Sequence, residues 1–437
     1  MPGFNANSVA VLGVPFNSVT MDEAVGIIEE KIESGGVHQI ATANVDFLMH
    51  AIRDPELQSI LCSCSLVVPD GMPILWSARL MGSRLKERVC GIDLVPRLAE
   101  LAARRGYSIF LLGASEKSSE RAAEVLQDRY PGLRIAGRYS PPVRPLEQMN
   151  HEEILERIEL AKPDILLVAF GNPKQEKWLS MHRDRLRVPV SIGIGGSLDL
   201  IAGKLGRAPR WMQKTGMEWL YRAAQEPRRL LGRYVVDALT LGRYLPQQMA
   251  ATASQPRIAG ESRIMSTQLG DTTVIAIHGD LTGEALDEFD VRVRDAADAG
   301  RNIVLDLTES GYFGPNTLGS LVQLMASMQR RKLHLWLAGL RPHLIRLLRS
   351  ARLDSCFRIT SSVADALYRI AKTEKAPLVH MPALQSLRRM AGTAVQLRME
   401  GMQDVCQKMA VSGQTMPLDF GQGLNQASRY GFKVSVG

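Results

Sequence analysis

Short apolar runs alternate with longer stretches of helical periodicity through the first 200 residues. Strand-like runs lie at 9–14, 39–41, 66–68, 108–112, 165–170 and 190–194, and helix-like stretches lie at 21–32, 92–104, 117–129 and 152–160. Thr20 and Ser115 precede two of these stretches, as is typical of helix starts. Strands that alternate with helices form βαβ units, and their strands pair in parallel. We therefore predict an α/β fold with a Rossmann-like parallel sheet and helices on both faces.

The rest of the chain divides by composition. After the core, 1–203, residues 204–245 are basic and aromatic and predict a helical appendage to that core. Residues 246–263 (PQQMAATASQPRIAGESR) are polar and contain Pro and Gly, which is typical of a linker. Residues 264–375 alternate strands and helices again and predict a second, small α/β domain. The tail, 376–437, predicts a Met-rich helix over 384–409 and then a flexible end.

The positive charge is concentrated in one segment. The 437 residues carry a net charge of +8, of which +7 falls on 204–263, whereas 1–203 carry −3. Such a segment favours a local anionic target over uniform coating of nucleic acid. Five cysteines are too few for a disulfide scaffold, so we expect a reducing compartment. The start has no signal-peptide pattern and no run approaches ~20 apolar residues, so we predict a cytoplasmic chain that does not cross a membrane.

Four of the predicted strands end in small, polar or glycine-rich turns. Thr42 and Asn44 follow the second run, Asp70 follows the third, and the segments FGNPKQE (170–176) and IGIGGS (192–197) follow the last two. The carboxyl ends of parallel strands are where open α/β sheets bind ligands. For Asp70 alone, an ordinary Asp-Gly turn is the more frequent interpretation. The four turns together favour a nucleotide or phosphorylated ligand, because their N–H groups can approach a phosphate closely.

Two kinds of motif are missing from the sequence, and they argue against a P-loop and against a bound metal ion. The chain has no GxxxxGK[ST] loop, which argues against a P-loop nucleotidase. Residues 1–245 contain no Asp-x-Asp pair and no His pair at metal-ligand spacing, so we expect no metal and no other cofactor. A bound diphosphate would then be neutralised by Arg, Lys and backbone dipoles. Cys62 and Cys64 have no partner pair and predict core thiols.

The segment 204–245 interleaves aromatic and basic residues. A helix that packs its aromatics on the core and a nucleic-acid face are two alternatives for such a mixture. Trp and Tyr favour membrane interfaces and Arg pairs with phosphates, so we favour an interfacial helix beside a phosphate site, on the inner face of the cytoplasmic membrane. We expect no nucleic-acid partner. The aromatics are Trp211, Trp219, Tyr221, Tyr234 and Tyr244.

Seven motifs occur in order between residues 9 and 245: TANVDFLMHAIRDPEL, VVPDGMPILW, ERVCGIDL, FLLGAS, FGNPKQEKW, GIGGSLDLIAGKLGRAPRWM and GMEWLYRAAQEPRRLLGRY. In this combination the chain resembles the WecG/TagA/CpsF family of bacterial glycosyltransferases. The resemblance implies transfer of an N-acetylmannosamine-type or glucose-type sugar from a UDP-sugar to a polyprenyl-diphosphate-linked saccharide. It also implies inversion at the anomeric centre, no metal, and a role in exopolysaccharide or surface-glycan biosynthesis.

The resemblance also implies roles for individual residues. Asp70 matches the general base of the family's P-D-G motif, which would take the proton from the attacking acceptor hydroxyl. Thr42 and Asn44 match its T-x-N positions near the donor sugar. Gln175 matches its P-K-Q-E motif and Arg88 its E-R-V motif. We predict catalytic roles for Asp70, Thr42 and Gln175, substrate binding by Asn44, Arg88, Gly113, Asn172, Glu176, Gly195 and Asp199, and lipid-diphosphate binding by Arg207, Arg222 and Arg229.

Two segments depart from the family's pattern. Residues 113–116 are GASE, where many members have a second Gly and a Pro-Gly, and residues 139–142 are YSPP instead of a Gly-Tyr-Phe-like stretch. Both lie near positions that are expected to recognise the donor. The identity of the donor sugar therefore stays open.

Residues 270–372 contain VIAIHGDLTGEALDEF, IVLDLTESGYF and LHLWLAGLRPHLIRLLRSARLDSCFRI. This region is similar to a STAS domain, the fold of anti-sigma-factor antagonists. Such domains usually carry a phosphorylated Ser at the start of a helix, but this chain has Pro315 there, which has no hydroxyl; Thr317 is the nearest alternative. We therefore predict docking to a protein partner or self-association rather than a phospho-switch. The alternative for the whole chain is a non-catalytic regulatory scaffold that acts through this domain.

Overall fold

The structure, a computed structural model, describes residues 8–204, 206–214 and 216–373 together with two short strands in the tail. The described residues divide into two compact units. The first comprises those of Met1–Ala253 with Gly314–Ala326 and Ser350–Arg352. The second comprises Ser254–Phe313, Ser327–Arg349 and the described residues from Leu353 onward.

The first unit opens with two short strands and continues with alternating strands and helices. Its elements are β1 (Ser8–Val11), β2 (Val14–Asn17), α1 (Met21–Ser34), β3 (His38–Ala43), α2 (Val45–Arg53), α3 (Pro55–Ser63), β4 (Leu66–Pro69), α4 (Met72–Leu80), α5 (Gly91–Arg105), β5 (Ser108–Gly113), α6 (Glu116–Arg129), β6 (Arg134–Tyr139), a 3-10 turn (Leu146–Gln148), α7 (His151–Ala161), β7 (Ile165–Ala169), α8 (Lys174–Met181), α9 (Arg183–Leu186), β8 (Val190–Gly193), α10 (Ser197–Ile201), α11 (Arg210–Lys214), α12 (Glu218–Gln225) and α13 (Pro227–Ala253).

Six of these strands form one sheet in the order β4-β3-β8-β7-β5-β6. Every pair in it is parallel, which confirms the predicted Rossmann-like α/β fold. Ile40 and Leu66 belong to one buried cluster, whereas their chain neighbours Ala41 and Val67 belong to another. Successive side chains of a strand point to opposite faces, so the sheet is buried by helices on both sides.

The first apolar run, 9–14, forms a hairpin instead of the single strand that was predicted. β1 and β2 pair antiparallel on either side of Leu12 and Gly13. These two residues have φ angles of 48° and 85°, and positive φ at both central positions is what a type I′ turn requires. The continuous apolar pattern hid the turn because both strands are fully buried.

Local signals set two of the helix starts. The Thr20 hydroxyl accepts a hydrogen bond from the N–H of Glu23, and the Glu23 carboxylate accepts one from the N–H of Thr20. This reciprocal pair is a capping box at the start of α1. Ser115 caps α6 by accepting from the N–H of Ser118. Both predicted helix starts are therefore confirmed.

Helix α13 continues to Ala253, through the first part of the stretch predicted as a linker. The side chain of Gln248 explains the extension. Its Oε1 accepts from the N–H of Leu12 at 2.9 Å, and its Nε2 donates to the carbonyl of Ala10 at 3.1 Å. Gln248 is fully buried, so a residue that looks like polar linker completes the hydrogen bonding of β1. The linker prediction is wrong for residues 246–253.

A second α/β sheet follows α13 along the chain. Its strand order is β12-β10-β11-β13-β14, and β9 pairs antiparallel with β10, which fits the small α/β domain predicted for this part of the chain. The elements are β9 (Arg263–Leu269), β10 (Thr272–Leu281), α14 (Glu284–Asp298), β11 (Asn302–Asp306), β12 (Ser310–Phe313), α15 (Pro315–Arg330), β13 (Leu335–Ala338), α16 (Pro342–Ser350), β14 (Arg358–Thr360) and α17 (Val363–Thr373).

Pro315 is the first residue of α15. A proline is tolerated there, because the N–H that it lacks would have no partner in the first turn and its fixed φ suits a helix. Thr317, the alternative phosphoacceptor, is only 1% exposed. A kinase cannot reach a hydroxyl buried to this degree, so Thr317 does not replace the missing serine in this conformation.

The tail, 376–437, lies outside the described residues except at two short strands. These are β15 (Val395–Gln396) and β16 (Ser435–Val436), which pair antiparallel. β15 falls within the helix predicted over 384–409, and at these two residues that prediction is wrong. The rest of the predicted helix lies outside the described residues.

Candidate active site

A cavity of about 530 Å³ lies at the carboxyl edge of the first sheet. The turns after β4, β3, β8 and β7 line it, and these four strands are adjacent in the sheet. Helices α12 and α13 of the appendage complete the wall. The structure thus brings together the four turns that the sequence singles out. Of the predicted site residues, the wall includes Thr42, Asn44, Asp70, Arg88, Asn172, Gln175, Gly195 and Arg222.

Asp70 follows β4 at the end of the cavity next to the sheet, which we call the inner end. Its N–H donates to the carbonyl of Ala43, the last residue of β3, at 2.9 Å. Burial raises the pKa of the Asp70 carboxyl to about 6, although the nearby cations Arg222 and Arg88 act in the opposite direction. A carboxylate with this pKa is largely ionised at neutral pH and is a stronger base than an ordinary aspartate.

Arg88 connects this region to the appendage. Its Nη1 donates to Oε2 of Glu218 at 2.7 Å, and its Nη2 lies 3.8 Å from Oδ2 of Asp93. Glu218 is the first residue of α12 and is buried, so this ion pair attaches the appendage to the loop that carries Arg88. Sequence reasoning missed Glu218, whose signal was its place in the motif GMEWLYRAAQEP.

Thr42 and Asn44 lie at the end of β3. The Thr42 hydroxyl donates to the carbonyl of Gly193 at 2.9 Å, which joins the ends of β3 and β8. The side-chain oxygen of Asn44 accepts from the N–H of Phe47 at 3.4 Å and caps α2. The Asn44 amide nitrogen has no hydrogen-bond partner among the described residues, so it is available to a ligand in the cavity.

Gln175 connects two of the turns. Its Oε1 accepts from the N–H groups of Gly171 and Gly195, both at 3.1 Å, and so joins the turns after β7 and β8. Its Nε2 donates to Oε1 of Glu176 at 2.8 Å. Gln175 borders the cavity but is 1% exposed. The geometry therefore gives Gln175 a positioning role, and its catalytic role stays a prediction.

Glu176 lies behind Gln175 and does not line the cavity, and its contact with the substrate stays a prediction. The residue is 1% exposed, and burial raises the pKa of its carboxyl to about 8. Its Oε2 has no hydrogen-bond partner within the described part of the chain. At neutral pH this side chain is therefore mostly the uncharged acid, which supports the amide of Gln175 without placing a charge beside it.

Gly113 and Asp199 are also absent from the cavity wall. A Cβ at Gly113 would lie 2.9 Å from the carbonyl carbon of Ala169, so glycine permits the close approach of β5 and β7. Asp199 accepts from Oγ of Ser118 at 2.6 Å and lies 3.3 Å from Nζ of Lys204. The structure gives Gly113 and Asp199 structural contacts, and their substrate-binding roles stay predictions.

The arginines predicted to bind a lipid diphosphate have different placements. Arg222 lines the cavity. Arg207 does not, because its Nη2 pairs with Oδ1 of Asp93 at 2.5 Å. The side chain of Arg229 lies outside the described residues. Arg233, which sequence reasoning missed, lines the cavity instead. Across the described part of the chain, no helix has both the length and the apolar character needed to span a bilayer.

Most helices that begin at the cavity lack a side-chain cap. α4, α5, α8 and α12 begin there, and none has a side-chain hydrogen bond at its N-cap. By contrast, α1, α3, α6 and α7 begin elsewhere and each is capped by a side chain, although the four-residue α9, which also begins elsewhere, is not. α2, capped by Asn44, is the exception at the cavity. Uncapped N–H groups and the helix dipole favour an anionic ligand.

The outer end of the cavity, between α13 and the first turn of α2, has a different charge pattern. Oδ1 of Asp46 lies 3.9 Å from Nε of Arg233, and Oδ2 of Asp46 accepts from Nδ2 of Asn172 at 3.1 Å. Asp237, one turn further along α13, is 6% exposed. Burial and the charge of Asp46 raise the pKa of Asp237 to about 6. Asp46 and Arg233 fall within the motifs quoted above, whereas nothing in the sequence marks Asp237.

Among the described residues, no group of three or more His, Cys, Asp or Glu side chains is placed to hold a metal ion. Metal independence of any reaction stays a prediction. Cys62 and Cys64 are buried thiols of the core, as the sequence predicts.

Two family models match the chain, one after the other. The model described as the Glycosyl transferase WecG/TagA/CpsF family matches residues 9–254, which is more than half of the chain. The STAS domain model matches residues 263–366. Both matches cover the regions whose motifs carried the two resemblances.

Curated relatives are similar over the first half of the chain. Proteins of Staphylococcus aureus strains MRSA252 and MW2 are 32% and 31% identical over 228 residues, which is 52% of this chain and 88% of each relative. Both are named N-acetylglucosaminyldiphosphoundecaprenol N-acetyl-beta-D-mannosaminyltransferase. Among solved structures, an anti-sigma factor antagonist from Mycobacterium paratuberculosis is similar to 25% of this chain over 95% of its own length, at 16% identity and a TM-score of 0.23.

Proposed function

Because the chain belongs to the WecG/TagA/CpsF family of glycosyltransferases, we propose that it transfers a sugar from a UDP-sugar to a polyprenyl-diphosphate-linked saccharide. The sugar is of the N-acetylmannosamine or glucose type, and the product is a precursor of exopolysaccharide or another surface glycan. The relatives' names describe transfer of N-acetylmannosamine to such an acceptor. The observation that carries the proposal is Asp70, a carboxylate with a pKa of about 6 beside Arg88 and Arg222 in the cavity.

Asp70 serves as the general base in this proposal. The acceptor hydroxyl oxygen attacks the anomeric carbon, its proton passes to the Asp70 carboxylate, and the bond from the anomeric carbon to the UDP oxygen breaks. Attack on the face opposite UDP inverts the anomeric centre. The raised pKa of Asp70 strengthens the base while leaving it ionised at neutral pH.

The inner end supplies positive charge for the departing UDP. Its sources are the guanidinium groups of Arg88 and Arg222 and the uncapped starts of α4 and α12. Donors that are already oriented toward the developing charge stabilise the transition state without a metal ion. This arrangement supports the metal-independent reaction that we propose.

The outward face of α13 is proposed to rest on the inner surface of the cytoplasmic membrane. Leu231, Val235 and Leu239 recur every four residues and are 50%, 57% and 69% exposed. Arg228 and Arg243, also exposed, lie at the two ends of this stripe. An apolar stripe with flanking arginines is suited to the interface of an anionic bilayer. The opposite face of the same helix lines the cavity, so docking would bring a lipid-linked acceptor to the site.

The STAS domain is proposed to bind a protein partner or a second copy of the chain. Pro315 stands where such domains usually carry a phosphorylated serine. Regulation by phosphorylation at that residue is therefore excluded, so we favour constitutive docking over a phospho-switch.

Transfer in a defined mixture tests the proposal. Purified protein is incubated with a panel of UDP-sugars, including UDP-N-acetylmannosamine and UDP-glucose, and a short-chain polyprenyl-diphosphate N-acetylglucosamine, with and without EDTA. We expect the mass of the acceptor to increase by one sugar in both conditions. Asp70→Asn should lose this transfer, and the exposed control Asp184→Asn should retain it. Absence of transfer from every donor would contradict the proposed reaction, and loss in EDTA would contradict metal independence.

A further inference from the structure

Helix α4 of the first unit exposes part of its apolar surface. Its buried residues, Ile74, Ser77 and Ala78, lie on the face that packs against β1 and β4. Trp76 and Leu80 lie on another face, because residues four apart are neighbours on a helix surface. They are 44% and 62% exposed. Two large apolar side chains that are exposed side by side indicate a surface that another molecule covers.

This surface continues along the edge of the cavity toward the appendage. Trp76 also lines the cavity, so its exposed ring lies at the cavity's edge. A Cβ at Gly216 would lie 3.1 Å from Cζ2 of Trp76, so the segment that leads into α12 passes directly beside this ring. Trp219 of α12 is 43% exposed and packs edge-on against Tyr234 of α13, with 5.7 Å between the ring centroids. Aromatic surface therefore extends from α4 across α12 to α13, the helix whose outward face we propose rests on the membrane.

Two exposed arginines accompany the apolar pair. Arg79 precedes Leu80 in the last turn of α4, and Arg84 follows in the loop after the helix. Neither guanidinium has an ion-pair partner among the described residues, whereas Lys86 in the same loop pairs with Glu23 at 2.6 Å. Arginine binds phosphate groups and tryptophan favours the membrane interface, so this combination suits a layer of lipid head groups.

The local charge fits an anionic bilayer. Residues 71–86 contain Arg79, Arg84 and Lys86 but no Asp or Glu. The whole of 1–203 carries −3, and that sum concealed this basic segment in the sequence. An anionic bilayer attracts cations near its surface and repels carboxylates. The exposed face of α4 therefore combines the same two features as the outward face of α13, namely apolar side chains and nearby arginines.

We propose that Trp76, Arg79 and Leu80 form a second membrane contact, which binds the anionic head groups of the bilayer on which α13 rests. The inference rests on the proposed function, because it takes the lipid-linked acceptor to come from that bilayer. It extends the proposed function by giving the α/β core its own contact with the membrane, beside that of the appendage. The acceptor then reaches the cavity from a bilayer that is held at two of the cavity's edges.

Vesicle flotation without substrates tests this surface. Full-length protein is mixed with vesicles of phosphatidylglycerol and phosphatidylethanolamine and, separately, with vesicles of phosphatidylcholine. We expect Leu80→Asp to weaken binding to the anionic vesicles by about tenfold, because an apolar contact is lost and a carboxylate faces anionic lipid. Arg79→Gln should weaken binding to the anionic vesicles by about fivefold and leave binding to phosphatidylcholine unchanged. The matched control Leu160→Asp, on α7, replaces a leucine that is 84% exposed and should bind as wild type.

Transfer assays separate this surface from the proposed reaction. Leu80→Asp should transfer sugar to the water-soluble short-chain acceptor at the wild-type rate, and more slowly than wild type to a long-chain acceptor in anionic vesicles. If wild type transfers sugar but Leu80→Asp binds vesicles as wild type does, the surface fails and the reaction stands. If no donor is transferred to any acceptor but Leu80→Asp loses vesicle binding, the reaction fails and the membrane contact stands.

Three further outcomes would overturn the membrane contact. A changed oligomeric state of Leu80→Asp in light scattering, with unchanged flotation, would assign the face to a second copy of the chain. A melting temperature of Leu80→Asp below that of Leu160→Asp would assign Leu80 to packing within the fold. Equal weakening of Arg79→Gln on both kinds of vesicle would contradict recognition of anionic head groups.

Discussion

The two ends of one cavity differ in how their charge is arranged. At the inner end Asp70 lies beside Arg88 and Arg222, and Glu218 pairs with Arg88. Helices α4 and α12 also begin there without a side-chain cap. At the outer end Asp46 and Asp237 accompany Arg233 and Arg53, and the helix that begins there, α2, is capped by Asn44. The uncapped helix starts add positive charge at the inner end, which therefore suits an anionic diphosphate better than the outer end does.

The largest expected effect is on chemistry at the inner end. Asp70→Asn removes the proposed base, and we expect the transfer rate to fall by about 10²- to 10⁴-fold. Binding of the short-chain acceptor should persist, because asparagine retains the size of the side chain and can still hydrogen-bond to the substrate. Initial rates together with a titration of tryptophan fluorescence measure both quantities. Loss of binding with an unchanged rate constant would contradict the role of Asp70 as the base.

The next largest effect is expected on the pH dependence of kcat/KM, which distinguishes the two ends of the cavity. Because the Asp70 carboxyl must be ionised to act as base and its pKa is about 6, kcat/KM should rise as the pH increases through about 6. Arg222→Ala removes a cation that lowers this pKa, so the rise should move to higher pH. At pH values below this pKa, the activity of the variant relative to wild type should fall about tenfold for each pH unit by which the pKa increases. Arg233→Ala, at the outer end, should leave the position of the rise unchanged, and a shift of similar size would show that the ends are electrostatically coupled.

A smaller effect is expected on the outward face of α13, which we propose rests on the membrane. The double variant Val235→Asp, Leu239→Asp places charges on the exposed stripe of α13. We expect binding to vesicles of phosphatidylglycerol and phosphatidylethanolamine to fall by about tenfold or more, the effect of losing two apolar contacts. Transfer to the water-soluble short-chain acceptor should stay near that of wild type. Unchanged flotation with the vesicles would move the membrane contact to another surface.

The smallest effect on activity is expected at Glu176, behind the inner end. Its pKa of about 8 keeps it mostly uncharged at pH 7, so the uncharged Glu176→Gln should transfer at nearly the wild-type rate. Since this pKa is raised in the folded state, its stabilising effect is complete below the unfolded pKa and is lost as the pH rises toward 8. The melting temperature of the variant, relative to wild type, should therefore increase between pH 5 and pH 8. A constant difference across that range would show that Glu176 is ionised throughout.

The inner end could be predicted because its residues follow their strands immediately in the chain. Asp70 comes directly after β4, and Thr42 lies in β3. The apolar runs marked the strands, and a parallel sheet places all their carboxyl ends at one edge. The periodicity did not give the strand order β4-β3-β8-β7, which makes the four turns neighbours. Nor did it separate Gln175, which borders the cavity, from Glu176, which is buried behind it.

The outer end could not be predicted, because its partners are far apart in the chain. Asp46 and Arg233 form an ion pair although they lie near opposite ends of the sequence of the first unit. Gln248 hydrogen-bonds to Ala10, 238 residues away, and this contact extends α13 through a stretch with the composition of a linker. In the hairpin of β1 and β2, by contrast, the decisive signal was local, namely Gly13 at a position with positive φ, but a uniformly apolar run concealed it.

Local patterns of apolar, capping and turn residues thus established the parallel sheet, the helix starts and the carboxylate at the strand end, because these depend on neighbours within a few positions. Folding decided which polar side chains border the cavity and what charge they carry there. Burial, ion pairing and the pKa of a carboxyl depend on what packs against it, and for Asp237 those groups come from α2 and from its own helix, α13. The proposed base, Asp70, follows its strand directly in the sequence, whereas the surroundings of Asp237 exist only after α13 has packed over the strand ends.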